Sequence, residues 1–169
     1  MEKERKHLDE EDIVNRVRVF LINKERGNWH EDKTKVSKLH GHGADIILVG
    51  GNRNSERFII ECKGKSYAQS ESAAKAINAE GWLNALGQII TRMTTSRVIK
   101  SGARKGDINQ AYKYGLGLYW KSARIALKRI SKEIATTLNL YIFSINEEGE
   151  VKQFTPSKFG KLYNENEFR

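Results

Sequence analysis

Three charged residues sit on two otherwise apolar stretches. Asp45 lies near the start of Gly43-Ala44-Asp45-Ile46-Ile47-Leu48-Val49, and Glu61 and Lys63 close the run Phe58-Ile59-Ile60-Glu61-Cys62-Lys63. Charges carried on strands that read as buried are costly unless they are paired or bind an ion. Two carboxylates brought together raise each other's pKa unless a cation lies between them. Mg²⁺ takes one or two carboxylates together with water and substrate phosphate, so Asp45 and Glu61 are the expected ligands of Mg²⁺ or Mn²⁺. Glu61 and Lys63 are two residues apart and project from the same side of a strand. The Lys63 ammonium there suits orienting an attacking water and stabilising charge on a phosphoryl group. Cys62 points the other way, with a thiol expected to be buried and a backbone carbonyl suited to a third metal bond. Phosphodiester hydrolysis needs an activated water, neutralised phosphoryl oxygens and help for the leaving oxygen, all of which a divalent cation supplies in part.

The elements that position these residues follow from periodicity and punctuation. Leu8 to Asn23 reads as a helix opened by Asp9, Glu10, Glu11 and Asp12, acids that suit a positive helix N-terminus. Val14, Val17 and Leu21 share one face, and Glu10 lies on the same line, placed to reach a site at the edge of the core. Trp29 to Leu39 alternates loosely and is read as an edge strand. His40-Gly41-His42-Gly43 holds two histidines without further zinc-site spacing, so its glycines are read as permitting a tight approach. Ala44 to Val49 and Phe58 to Cys62 form two strands around the turn cluster Gly50 to Ser55, hence a hairpin.

Beyond Lys65 the period changes. Ser70 to Met93 reads as a helix, Thr94 to Asn109 as a basic loop, and Tyr114 to Trp120 as a third apolar strand. Lys121 to Thr137 reads as one helix with Ala123, Leu127, Ile130, Ile134 and Leu138 on its apolar face. Lys121, Arg124, Lys128 and Lys132 form a roughly opposite stripe suited to phosphate contacts. Leu140 to Ile145 and Val151 to Phe154 are two more strands joined by Glu147-Glu148-Gly149, and the tail from Pro156 reads as short and polar.

Composition narrows the classes. A chain of 169 residues is expected to form one domain, residues 1–169, with no linker or repeat dividing it. A single Cys excludes a disulfide framework and a Cys-rich zinc site. No apolar run approaches membrane-spanning length, and the charged start Met1-Glu2-Lys3-Glu4-Arg5-Lys6 leads into no signal-peptide core, so a cytoplasmic protein is expected. The net charge of +9 is concentrated: Arg97 to Lys132 carries ten Lys and Arg against one acid, Asp107. Such a segment attracts polyanions by its field and by counterion release.

Asp45, fifteen intervening residues and Glu61-Cys62-Lys63, set in the order helix, strand, hairpin, long helix, strand, helix, strand, resemble the PD-(D/E)XK nuclease superfamily. The resemblance covers roughly residues 8 to 155. The Pro that usually precedes the first acid is replaced by Ala44. The resemblance implies a restriction endonuclease-like α/β core, a central mixed sheet flanked by helices. It implies Asp45 and Glu61 as metal ligands and Lys63 as catalytic lysine, with an acid on the preceding helix, Glu10 or in reserve Glu11, completing the site. Gln88, in Leu86-Gly87-Gln88-Ile89-Ile90, matches the polar residue that members often carry on the next helix. The expected activity is that of a Mg²⁺- or Mn²⁺-dependent DNA endonuclease, restriction-type or specific for branched junctions. Cutting two strands from one compact site per chain points to a homodimer. The alternative is a nuclease-like fold that holds nucleic acid or a partner without cutting.

Overall fold

The computed structural model describes residues 8–23, 28–31, 44–50, 56–65, 71–99 and 111–168. Six strands make one mixed sheet: β1 (His30–Glu31), β2 (Ile46–Gly50), β3 (Glu56–Lys63), β4 (Ala111–Tyr119), β5 (Leu140–Ile145) and β6 (Val151–Phe154), in the spatial order β1-β2-β3-β4-β5-β6. β1, β2 and β3 pair antiparallel, β3, β4 and β5 pair parallel, and β6 returns antiparallel to β5. Parallel neighbours need long crossovers. Helix α2 (Glu71–Ile99) supplies the first, and α3 (Trp120–Arg129) with α4 (Lys132–Leu138) the second; α1 (Glu10–Asn23) precedes the sheet.

The central strands are buried on both faces and read accordingly as near-continuous apolar runs. Alternation along β3 divides its side chains between two helical layers. Cys62 faces α1: a Cβ on its neighbour Gly117 would lie 2.6 Å from the Cys62 sulfur and 3.3–3.4 Å from Val17 and Ile13. Glu61 and Lys63 face α2, where the Lys63 Cβ approaches Gly81. On the α1 side, Ile13, Val17 and Leu21 enter the core with Phe58, Ile60 and Phe143, and Phe58 packs its ring against Trp29, Tyr141 and Phe143.

The first turn of α1 docks against the end of β3. Asp9 caps the helix by accepting the Asp12 N–H at 2.9 Å. The Lys65 N–H donates to the Leu8 carbonyl at 2.7 Å, and a Cβ at Gly64 would lie 2.4 Å from the Glu10 nitrogen and 2.5 Å from the Asp9 carbonyl carbon. Only a residue without a side chain permits that approach.

Several expected elements are revised. The expected loop from Thr94 is helical through Ile99, since no Gly or Pro interrupts the propagating helix; residues 100–110 lie outside the described residues. The single helix expected from Lys121 to Thr137 is two helices. Ile130 is extended and buried, and Ser131 starts a new helix by accepting the Ile134 N–H at 3.3 Å. Ile134, expected on the apolar face, is 53% exposed. The tail is not merely polar: Phe159 and Phe168 are buried, and Phe168 packs against Trp120, Phe154 and Tyr163. Of the expected edge strand 29–39 the structure describes only its start, where β1 pairs with β2. His40, His42 and the tip of the hairpin lie outside the described residues. Among the described residues no helix is long and apolar enough to cross a membrane.

Two glycines test this packing in opposite senses. Gly64→Ala is expected to lower stability by about 1–3 kcal/mol in urea unfolding, because backbone atoms of α1 must move. Gly87→Ala, with nothing within 4 Å of the new methyl in α2, is expected to raise it by about 0.5–1 kcal/mol. Equal effects of the two would contradict the docking described for α1.

Candidate active site

The β2–β3 hairpin sets the site. Ile46 pairs with Ile60 at the end of the ladder, and Asp45, the residue before β2, lies close enough to Glu61 to act on its carboxyl. The Cys62 N–H donates to Asp45 Oδ2 at 2.7 Å and fixes the first carboxylate against the end of β3. Glu61 is only 1% exposed and accepts from Arg92 Nε at 3.0 Å. Lys63 turns past the end of the sheet and donates to Glu10 Oε2 at 2.9 Å on the first turn of α1. Asp45, Glu61, Lys63 and Glu10 are thus brought to one end of the sheet by three separate elements.

The expected role of Gln88 is not what α2 provides. Gln88 is exposed, and the residue that α2 extends to Glu61 is Arg92, one turn further on. The signal was present in the sequence. Arg92 falls on the line of Ala85 and Ile89, the buried face of α2, and a cation on such a line needs a partner inside. Glu11 is exposed, and it is Glu10 that pairs with Lys63. Cys62 is fully buried as expected; burial pushes its thiol well up, with Asp45 and Glu61 adding to the effect, so the thiol is an inert packing group.

The acidic pair carries the clearest electrostatic signature. Burial raises the Glu61 carboxyl to about 7; Arg92 works against the rise and the neighbouring Asp45 adds to it. A second cluster lies on the same end of the sheet, where β4 and β5 finish. Tyr119 donates its hydroxyl to Glu147 Oε1, and Lys65 Nζ lies 3.3 Å from Glu147 Oε2. Burial opposes ionisation of Glu147, but the Tyr119 hydroxyl and the Lys65 and Lys121 charges hold its carboxyl below the usual range. Among the described residues no three His, Cys, Asp or Glu side chains form a group that would hold a metal ion. The donor set at the site is the adjacent pair Asp45 and Glu61.

Three of the four expected phosphate-contacting cations share one helix, and the fourth begins another. Lys121, Arg124 and Lys128 are on α3 and Lys132 begins α4, beyond the break at Ile130 and Ser131. Arg124 pairs with Glu165 at 3.0 Å, so the segment has a compensating acid from the C-terminal turn. Lys121, in the first turn of α3, is the member nearest to the second cluster through its charge on Glu147.

Comparison of the chain with protein-family models, with curated proteins and with solved structures gives no match. The chemistry of the site has to be read from its own atoms.

The position of Glu61 has a pH signature. Its ordinary carboxyl value of 4.5 rises to about 7 in the folded chain, so the native state keeps a proton that the unfolded chain has released. The contribution of this group to stability is therefore full below pH 4.5 and falls as pH rises to about 7, by roughly 3 kcal/mol. Glu61→Gln lacks this titration. In thermal melts with EDTA, its Tm relative to wild type is expected to rise between pH 5 and pH 8. A difference independent of pH would contradict the burial and pairing described for Glu61.

Proposed function

We propose that this chain is a metal-dependent endodeoxyribonuclease of the PD-(D/E)XK kind. The observation that carries the proposal is the closeness of Asp45 to Glu61 at the end of the β2–β3 hairpin, with Lys63 two residues beyond Glu61 on the same face of β3. Two carboxylates so placed are hard oxygen donors of the number Mg²⁺ uses; burial is the main cause that raises the Glu61 carboxyl, the Asp45 charge adds to it, and a bound cation relieves both. The residues present therefore fit Mg²⁺ or Mn²⁺ better than Zn²⁺, since the Cys62 thiol is buried on the opposite face of the sheet.

Asp45 and Glu61 would hold the cation. The Cys62 carbonyl is a third oxygen on the same edge, because the residue's N–H already points at Asp45 and strand geometry turns both backbone groups to one side. Such a cation supplies a water of lowered pKa and neutralises phosphoryl charge. Lys63 orients that water and donates to a phosphoryl oxygen, and Glu10 holds the ammonium over the end of the sheet until substrate arrives. Arg92 keeps Glu61 in place from the side of α2. Lys121, at the start of α3, lies towards this end of the molecule, and the other cations of α3 and α4 add to the field that attracts the DNA backbone. Restriction-type cutting and junction resolution both fit, and each is served by a two-fold dimer that presents two such sites.

One observation favours the non-cleaving reading. Each of the two cations at the site is already matched to a carboxylate, Lys63 to Glu10 and Arg92 to Glu61, which leaves one acid, Asp45, rather than two for a metal to neutralise. The two readings separate in one assay. Purified protein is incubated with plasmid, linear duplex and four-way junction DNA in Mg²⁺, Mn²⁺ or EDTA, alongside Asp45→Ala and Lys63→Ala. The expected result is metal-dependent cleavage reduced about a hundredfold or more in both variants, with DNA binding retained in Lys63→Ala. Binding without cleavage of any substrate would establish the non-cleaving module instead.

A further inference from the structure

We infer that Lys65, held by Glu147 and Tyr119, forms a second phosphate subsite, taking a phosphate of the nucleic-acid backbone beside the one that is cut. The inference rests on the nuclease reading above and adds residues which the acid-x-lysine pattern does not contain. Lys65 follows the catalytic lysine by two residues, so the two Cα atoms are at most about 7 Å apart. That distance is on the scale of one or two nucleotide steps, each rising about 3.4 Å along a strand.

The mounting of Lys65 is the unusual feature. Its backbone is tied to α1 through the 2.7 Å bond from its N–H to the Leu8 carbonyl. Its ammonium lies 5.1 Å from the centre of the Tyr119 ring and 3.3–3.4 Å from both oxygens of Glu147. Tyr119 is buried at the end of β4 and anchors the same carboxylate by its hydroxyl, so ring, carboxylate and ammonium form one closed contact. The result is a lysine only 28% exposed, held in one place at the rim of the site. Its contacts to Glu147 are longer than the roughly 2.7–2.9 Å of a tight charge-assisted bond. A phosphate oxygen therefore competes well for the ammonium. Lys121 also acts on Glu147 from the start of α3.

The location supports the same conclusion. Lys63 ends β3 and Lys65 follows it, Tyr119 ends β4 and Glu147 follows β5. These three strands are mutually parallel, and their carboxyl ends form the edge at which such sheets bind ligands. Glu147 and Tyr119 are positioning residues in this scheme, and Lys65 makes the phosphate contact.

The test uses fluorescence anisotropy of labelled duplex DNA in EDTA, where no cutting occurs, over a range of KCl concentrations. Lys65→Gln is expected to lower the slope of log affinity against log salt by about 0.9, equivalent to about eightfold weaker binding at 0.1 M salt. Lys65→Arg is expected to restore the slope, and thermal melts identify any variant that fails to fold. Tyr119→Phe is expected to weaken binding when Lys65 is present and to add nothing to Lys65→Gln, the non-additivity of residues acting through one contact. An unchanged slope in Lys65→Gln, or additive losses in the double variant, would overturn the subsite while leaving the nuclease reading intact. Wild-type protein that does not bind duplex would overturn the DNA substrate, and the subsite with it.

Discussion

The registration of β2 on β3 is the constraint on which the site depends. Side chains alternate along a strand, so a slip of one residue would carry Asp45 to the face occupied by Cys62 and separate the two carboxylates. The pairing of Ile46 with Ile60 and of Leu48 with Phe58 prevents this, because their side chains fill the core under α1 and cannot exchange places with their neighbours without exposing apolar surface. Hydrophobic burial thus fixes the position of two charges that electrostatics alone would drive apart. The apolar residues of the hairpin hold the acids together, and the acids create the demand for a cation.

That demand is met in part by Arg92, and a second ion pair closes the same rim. Arg92 reaches Glu61 from α2, and Glu10 draws Lys63 over the end of the sheet from α1. Both contacts require close docking of the helices, and the sequence permits it with Gly64 under the first turn of α1 and Gly81 against the Lys63 side chain. The helices lie on opposite faces of the sheet, so the site is a rim where two layers meet. Side chains from either layer reach the same charges there without crossing the core. The same rim continues through Tyr119 to Glu147, which is why the second cluster falls beside the first.

Much of this was legible in the sequence because it follows from short-range pattern. Apolar runs bounded by polar turns located β2, β3, β4, β5 and β6, and the spacing of Glu61 and Lys63 located their common face. What could not be read were the consequences of tertiary packing. The helical periodicity of Lys121 to Thr137 continues through Ile130, yet Ser131 offers a better start for a new helix and Ile130 gains burial by leaving the old one. The tail from Pro156 reads as polar, yet Phe159 and Phe168 are buried, and Phe168 finds its packing surface on Trp120 and Phe154. Gln88 was expected by family analogy alone, whereas Arg92 follows from physics, as a cation on the buried line of a helix. Glu147 could not be placed from spacing, because eighty-two residues separate it from Lys65.

The central claim is that Asp45 and Glu61 together form a site for a hard divalent cation. Isothermal titration calorimetry with Mn²⁺ at pH 8, where Glu61 is ionised, tests it without reference to DNA or activity. The account expects one ion bound per chain, with binding lost in Asp45→Asn and in Glu61→Gln and retained in Lys63→Ala. Absence of binding to the wild-type protein, or equal binding by the Asp45→Asn variant, would contradict it.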